Sequence, residues 1–192
     1  NIKRLEQERD YLGLIRALDG EDPGNRTGAA RALCTLGVPA IPDLLRALEN
    51  APPASRARME QALASAGTPS LPLFLALIIR ASPPLQASIA RVIAGMSDET
   101  FDALTSTLHH EQPAVRYATV IALQGMGRKA VPPLSGAFHD RNPGVRKEAA
   151  RALAALRWAP ENLPEKVEFY YLLEDWTELA KQIGRASCRE RV

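Results

Sequence analysis

Cysteine, histidine and aromatic side chains are scarce in this chain, and their scarcity removes most of the constellations that carry chemistry. Two cysteines, Cys34 and Cys188, and three histidines, His109, His110 and His139, stand among 192 residues. Cys188 belongs to a tail treated below, which leaves Cys34 alone; one cysteine forms neither an internal disulfide nor a zinc site, and its solitude fits a reducing compartment. No apolar run approaches the roughly 20 residues of a membrane span. The longest, Leu71 to Ile79, is interrupted by a proline. A glycine-rich phosphate loop, a serine or cysteine triad and a paired-carboxylate site are all missing from the sequence.

Proline, by contrast, is abundant and ordered. Pro23, Pro53, Pro83, Pro113 and Pro143 keep a spacing of 30 residues, and a fixed period of that size marks stacked repeats rather than one globular core. Arg26, Arg56, Gln86, Arg116 and Arg146 share a second register, and Gly37, Gly67, Ser97, Gly127 and Arg157 a third. Proline at the first helical position loses nothing by lacking an N–H, and Asp22, Ser82 and Asn142 ahead of it are residues that accept first-turn N–H bonds. That starts a helix A. Glycine near its end can take a positive φ, and Pro42, Pro72 and Pro132 in the next first turn start a helix B. Each unit therefore holds two short helices.

Apolar columns give the same pairing. Helix A carries Leu33, Leu63, Ile93, Leu123 and Leu153, beside a column of small residues, Ala32, Ala62, Val92, Ala122 and Ala152. Helix B carries Ile41, Leu71, Phe101 and Val131, then Leu44, Phe74, Leu104 and Leu134, then Leu48, Ile78, Leu108 and Phe138. Spacing of i, i+3, i+7 makes these three columns one amphipathic stripe. The expected fold is all-α, with about five helix pairs from Glu21 to Trp158. Repeat three departs, with Gln86, Ser97 and Asp102 replacing arginine, glycine and proline; Ser97 followed by Asp98 and Glu99 offers an alternative helix start, and a local bend is expected there.

The pattern Pro-x-x-Arg, Ala-Leu, Gly, then Ala-Val-Pro-x-Leu, clearest from Glu111 to Asp140, resembles the HEAT-like repeats first associated with phycobilisome lyases. The resemblance covers about 150 residues and implies a right-handed α-α superhelix, a HEAT-like solenoid with its B helices on the concave side. It implies function only broadly, because the repeat occurs in scaffolds and in enzymes such as bilin lyases and deoxyhypusine-type metal-dependent hydroxylases. In the latter, several His-Glu pairs on helices hold two irons. This chain has one such pair, His110-Glu111, at a junction between units, and His139-Asp140 does not complete a ligand set; solvated loop positions are the expected identity of all three histidines.

The two ends differ from the repeats. Residues 1–20 read as a partial repeat or cap, with Tyr11, Leu14, Ile15 and Leu18 aligned to a helix B. Residues 21–157 hold the repeats, and residues 158–182 form an aromatic-rich helical segment containing Trp158, Phe169, Tyr170, Tyr171 and Trp176. These rings are expected to pack against the last repeat and a further one rather than to form a ligand cage. The final residues, 183–192, back-translate into a sequence that resembles a sequencing-library adapter, so they are expected to be a non-native tail on a piece of a longer protein. Without the tail's Arg185, Arg189 and Arg191 against Glu190, the formal charge of +2 falls to zero. A neutral chain gives no reason to expect a nucleic-acid partner.

Two repeated surfaces remain. The arginine column reads as a ladder donating to loop acids or carbonyls between repeats, in preference to an anion-binding strip. Cys34, aligned with Ala64, Ala94, Gln124 and Ala154, reads as a small packed thiol. On helix B, the positions off the apolar stripe include Asp43, Arg46, Leu73, Ala76, Arg80, Ala103, Ser106, His110, Gly136 and Asp140, mostly small or apolar. They suit a peptide or helix laid on a floor better than a polyanion, although close packing between adjacent B helices would use the same residue types. The expectations are a non-catalytic interaction scaffold with a protein or peptide partner, no cofactor, no metal, no membrane or nucleic-acid association, and a cytoplasmic location. The alternative is part of an enzyme whose active residues lie outside these repeats.

Overall fold

A computed structural model describes residues 1–96 and 98–189, with side chains described through residue 184 except at Val38 and Asp98. Among the described residues every regular element is helical: α1 (Ile2–Gln7), α2 (Tyr11–Leu18), α3 (Pro23–Leu36), α4 (Ile41–Asn50), α5 (Pro53–Ala64), α6 (Leu71–Arg80), α7 (Pro83–Ala94), α8 (Asp98–Thr107), α9 (Pro113–Gly125), α10 (Val131–Ala137), α11 (Pro143–Ala155), α12 (Leu163–Leu172) and α13 (Trp176–Arg189). The prolines of the 30-residue column all open A helices, α3, α5, α7, α9 and α11. Two units are compact in themselves, residues 1–126 and the chain from residue 127 on.

In the first unit α3, α5, α7 and α9 stack in order, while α2, α4 and α6 form the second layer. The stacking follows from the sequence columns: Leu33, Leu63, Ile93 and Leu123 are buried, as are Ala32, Ala62, Val92 and Ala122. Burying a leucine-sized side chain stabilises by about 1.5–3 kcal/mol, and the alanines let helix backbones approach. One such close approach is at Gly125, where an added Cβ would lie 2.6 Å from the Ala90 carbonyl oxygen of α7. At the N-terminus α2 occupies a B position, with Leu14, Ile15 and Leu18 buried and Asp10 capping through the Gly13 N–H. Ile2 of α1 covers Gly28 of α3.

Caps decide where the helices begin and end. Asp22 accepts from the Gly24 N–H and Asn142 from those of Gly144 and Val145. Ser82 does not cap: its hydroxyl lies 3.1 Å from Glu49 Oε1 and donates to that carboxylate instead. Gly37 and Gly67 combine φ of 69° and 72° with ψ of −138° and −169°, a region essentially closed to other residues. Each leads through a 3-10 turn into helix B. Arg157 in that register takes φ 57°; a side chain excludes the glycine-only geometry, so the chain leaves α11 by a left-handed turn. The fifth B helix accordingly does not start in register, and α12 follows only after residue 162. Ser97, expected as a helix start, lies outside the described residues.

In the second unit α10 packs on α11, α11 on α12, and α12 on α13. Its core contains Leu134, Phe138, Val145, Leu153 and Phe169. The tail expected from residue 183 begins with exposed Ile183 and Gly184 within α13, which continues to Arg189; the side chains from residue 185 on lie outside those described.

Candidate functional site: the B-helix face and the repeat junctions

Off the apolar stripe of the B helices, the first unit presents Asp43 and Arg46 on α4, Ala76 and Arg80 on α6, and Ala103 and Ser106 on α8. Arg46, Arg80 and Ser106 are exposed, while Asp43, Ala76 and Ala103 are half-buried. Arg46 Nη1 stands 3.7 Å from Asp43 Oδ1, a partly exposed pair of small energetic value. The hydroxyls of Thr105 and Thr107 turn back onto the carbonyls of Phe101 and Ala103, so Ser106 is the hydroxyl this part of α8 presents outward.

Leu73 does not belong to this surface. It is only 4% exposed, and Leu77 is fully buried. The cause is α9, which packs on α6 as well as on α7 and α8. With a neighbour on that side, α6 buries Leu71, Leu73, Phe74, Leu75, Leu77 and Ile78, nearly its whole circumference. What α6 leaves outside is Pro72, Ile79 and Arg80, with Ala76 at the margin. Ile79 was not singled out from sequence, because its column carries Glu49, His109 and His139 in the other repeats.

His110 and Asp140 occupy equivalent repeat positions and do the same local work. His110 Nδ1 accepts from the Gln112 N–H at 3.1 Å, and Asp140 Oδ1 accepts from the Asn142 N–H at 2.7 Å. Each shapes the loop ahead of an A helix. Gly136, on α10 of the second unit, is exposed with open space around a would-be Cβ. Among the described residues no group of three or more His, Cys, Asp or Glu side chains could hold a metal ion.

The arginine column resolves into hydrogen bonds that tie down the loop ahead of each A helix. Arg26 Nη1 donates to the carbonyls of Gly20 and Glu21, just past α2. Arg56 donates through Nε to Leu48 and through Nη2 to Glu49 and Ala51, at the end of α4. Arg116 Nη1 reaches the His110 and Glu111 carbonyls at 2.7 and 2.9 Å, and Arg146 Nη1 that of Asp140. The Leu48 and Glu49 carbonyls reached by Arg56 lie in the last turn of α4, where they have no intrahelical partner and carry the negative end of the dipole, while Arg26, Arg116 and Arg146 satisfy carbonyls of the loop that follows a helix. Gln86 performs a reduced version, one amide N–H to the Ile78 carbonyl at 2.9 Å. Arg146 also approaches Glu168 at 3.4 Å. These guanidinium groups are held by the fold.

Cys34 lines an open hollow of about 330 Å³ with Arg31, Thr35, Ala66 and Pro69. Burial pushes its thiol pKa up to about 11, which the Ser70 hydrogen bond only partly offsets. A thiol so raised stays protonated at neutral pH and is a poor nucleophile. No single helix among those described is long and apolar enough to cross a membrane.

The aromatic segment divides in two. Phe169 sits at the centre of edge-to-face contacts with Phe138, Trp158 and Tyr170, at centroid distances of 5.8, 6.1 and 5.5 Å. Tyr171 and Trp176 pair with each other at 5.9 Å and 80°, and each remains 59% exposed. Burial therefore accounts for Phe169 fully and Trp158 and Tyr170 in part, while the second pair stands in solvent.

Short helices opened by proline, stacked through one small-residue column and sealed by one arginine column, define an α-helical repeat protein. Comparison with known families places it further. The model for HEAT repeats matches residues 71–154 and 101–169, together more than half of the chain, and that for the PBS lyase HEAT-like repeat matches residues 26–50. The chain belongs to the HEAT-repeat family. No curated protein matches it. Among solved structures it is similar to an engineered protein, at 19% identity over 92% of this chain and 94% of that one, with a TM-score of 0.30. A designed armadillo repeat protein in complex with the peptide (KR)4 is 17% identical over 81% and 85% of the two chains, with a TM-score of 0.28.

Proposed function

We propose that the chain is a non-catalytic interaction scaffold that binds a protein or peptide, using the outward positions of α4, α6 and α8 in its first unit. The observation that carries this reading is the division of labour among repeated residues. The arginines, His110 and Asp140 are engaged in joining repeats, while Arg46, Ala76, Arg80, Ala103 and Ser106 recur on successive B helices without that duty. A surface alternating small side chains with single charges accommodates a peptide backbone and fixes its register by a few polar contacts. A polyanion would require a dense run of lysines and arginines, and Asp43, Glu49 and Asp102 stand on the same helices. Such a scaffold is proposed to work in the cytoplasm.

The test is a charge placed on the floor. Ala76→Glu or Ser106→Glu should abolish capture of a partner from lysate while helicity and melting stay at the wild-type values, since a carboxylate there meets the partner unpaired. Arg31→Glu or Arg151→Glu, on the A helices, should leave capture intact. Capture unaffected by the B-helix changes would refute the proposed face. Stoichiometric iron or zinc in the purified protein, lost on His110→Ala, would support the enzyme reading in its place.

A further inference from the structure

The second helical layer of the first unit begins before α4, because α2 packs against α4 as α4 packs against α6. Arg16 on α2 and Arg46 on α4 stand in one 30-residue register with Ala76 on α6, and Arg80 follows Ala76 by one turn. All three arginines are exposed. Packed helices lie roughly 8–10 Å apart, so the register recurs at about that interval across the layer.

These arginines are not the ones that join repeats. Arg46 has only the 3.7 Å approach to Asp43, and among the described residues Arg16 and Arg80 make no ion pair and no side-chain hydrogen bond. The acids on or beside the same helices are committed: Asp10 caps α2 through the Gly13 N–H, Asp19 holds Arg58 at 2.6 Å, and Glu49 accepts from the Ser82 hydroxyl at the start of α7. The charge left without a partner on α2 and α6 is cationic. Apolar surface accompanies it. Leu12, one turn before Arg16, is 54% exposed, and Ile79, beside Arg80, is 42% exposed. A single exposed leucine or isoleucine is ordinary, but these are the exposed large hydrophobic side chains described in the first unit, and both fall on this layer next to an unpaired guanidinium.

We infer that the partner of the B-helix face proposed above, on which this assignment rests, is an extended acidic and apolar protein segment whose carboxylates pair with Arg16, Arg46 and Arg80 while its apolar side chains lie on Leu12 and Ile79. Charge selects this occupant. A basic segment would set like charge against Arg16 and Arg80, and a purely apolar one would strip water from them without supplying an acceptor. Nucleic acid fits poorly, since three arginines spread over three helices, with Asp43 and Glu49 on the middle one, neutralise few phosphates. An extended chain rises about 3.3 Å per residue, so acids three residues apart match the interval between neighbouring helices.

The probe is a fluorescein-labelled (Glu-Leu-Ser)4 peptide titrated with the full chain and read by anisotropy, beside (Gln-Leu-Ser)4, (Lys-Leu-Ser)4 and labelled oligothymidylate. The glutamate peptide should bind saturably and the other three at least tenfold more weakly. Arg16→Gln and Arg80→Gln should each raise its Kd at least threefold, while Arg31→Gln, at an exposed arginine of α3, should stay within twofold of wild type; circular dichroism checks that all three remain folded. Ala76→Arg, which completes the register of Arg16 and Arg46, should tighten binding at least threefold, and Ala76→Glu should weaken it at least tenfold. No binding of the glutamate peptide, equal binding of the lysine peptide or the oligonucleotide, or an equal loss in Arg31→Gln would overturn the assignment. A loss in Ala76→Arg as large as in Ala76→Glu would also overturn it and leave the B-helix face standing, because bulk rather than charge would then decide. Lysate capture that survives both Ala76→Glu and Ser106→Glu would remove the face itself, and the assignment with it.

Discussion

Replacing Arg116 separates a structural ladder from a free cationic strip. Its side chain is 3% exposed, and its Nη1 donates to two carbonyls past the end of α8, at 2.7 and 2.9 Å. Hydrogen bonds from a charged donor contribute about 1.5–3 kcal/mol each. Arg116→Ala therefore forfeits about 3–6 kcal/mol in gross terms, and water reaching the exposed His110–Glu111 loop returns part of it. The expected net loss is about 3 kcal/mol. Arg116→Gln should lose about half as much, because repeat three shows how glutamine serves there: Gln86 reaches the Ile78 carbonyl, and Leu108 is the equivalent position for residue 116. Urea unfolding followed by circular dichroism reads both values, with the slope reporting whether the array still unfolds as one transition. A loss below about 1 kcal/mol for the alanine variant, or a glutamine variant less stable than the alanine one, would refute the loop-anchoring account.

Three further outcomes follow from packing and charge. Leu123→Ala should cost about 2–5 kcal/mol, since the side chain is fully buried in α9 and the cavity cannot collapse between stacked helices; chemical denaturation below 1 kcal/mol would place that column at the surface. Gly125→Ala should destabilise by about 1–3 kcal/mol despite alanine's better helix propensity, because its Cβ would meet the Ala90 carbonyl carbon at 2.9 Å and oxygen at 2.6 Å, and a stabilised variant in thermal melts would contradict that approach. The Asp19 carboxyl is held below its ordinary value chiefly by the Arg58 hydrogen bond; the folded pKa lies under the unfolded one, so its contribution is present above about pH 4 and disappears as pH falls through the folded value. Arg58→Gln should be less stable than wild type at pH 7 by no more than about 1 kcal/mol, as both side chains are substantially exposed, and the two proteins should converge by about pH 2.

What was legible in the sequence is what the repeats share. Leu33, Leu63, Ile93, Leu123 and Leu153 are all buried at the same place in successive repeats, so periodicity alone identifies them as core. The arginine register was legible for the same reason, and its partners are the carbonyls expected at the junctions between repeats. What repeat logic hides is any contact made once. Leu73 looked like a surface position by analogy with Asp43 and Ala103, but α9 packs on α6, and no column records that. Ser82 resembled the caps Asp22 and Asn142 yet turns to Glu49, a residue 33 positions earlier. Position 157 explains the lapse of register after α11: arginine there cannot adopt the backbone of Gly37 and Gly67. Tyr171 and Trp176 were legible as aromatics, whereas their exposure depends on the turn at Glu174.

The central claim, that a partner lies on the outward positions of the B helices, is tested most directly by photo-crosslinking. A benzoylphenylalanine installed at Ser106 of α8 or at Arg46 of α4, both exposed, should form a defined adduct with a protein partner on irradiation in lysate. The same probe at exposed Arg91 of helix α7 should form none. Adducts at Ser106 and Arg46 alone are the predicted result; adducts at Arg91 of equal yield, or no adduct at either B-helix position, would contradict the account.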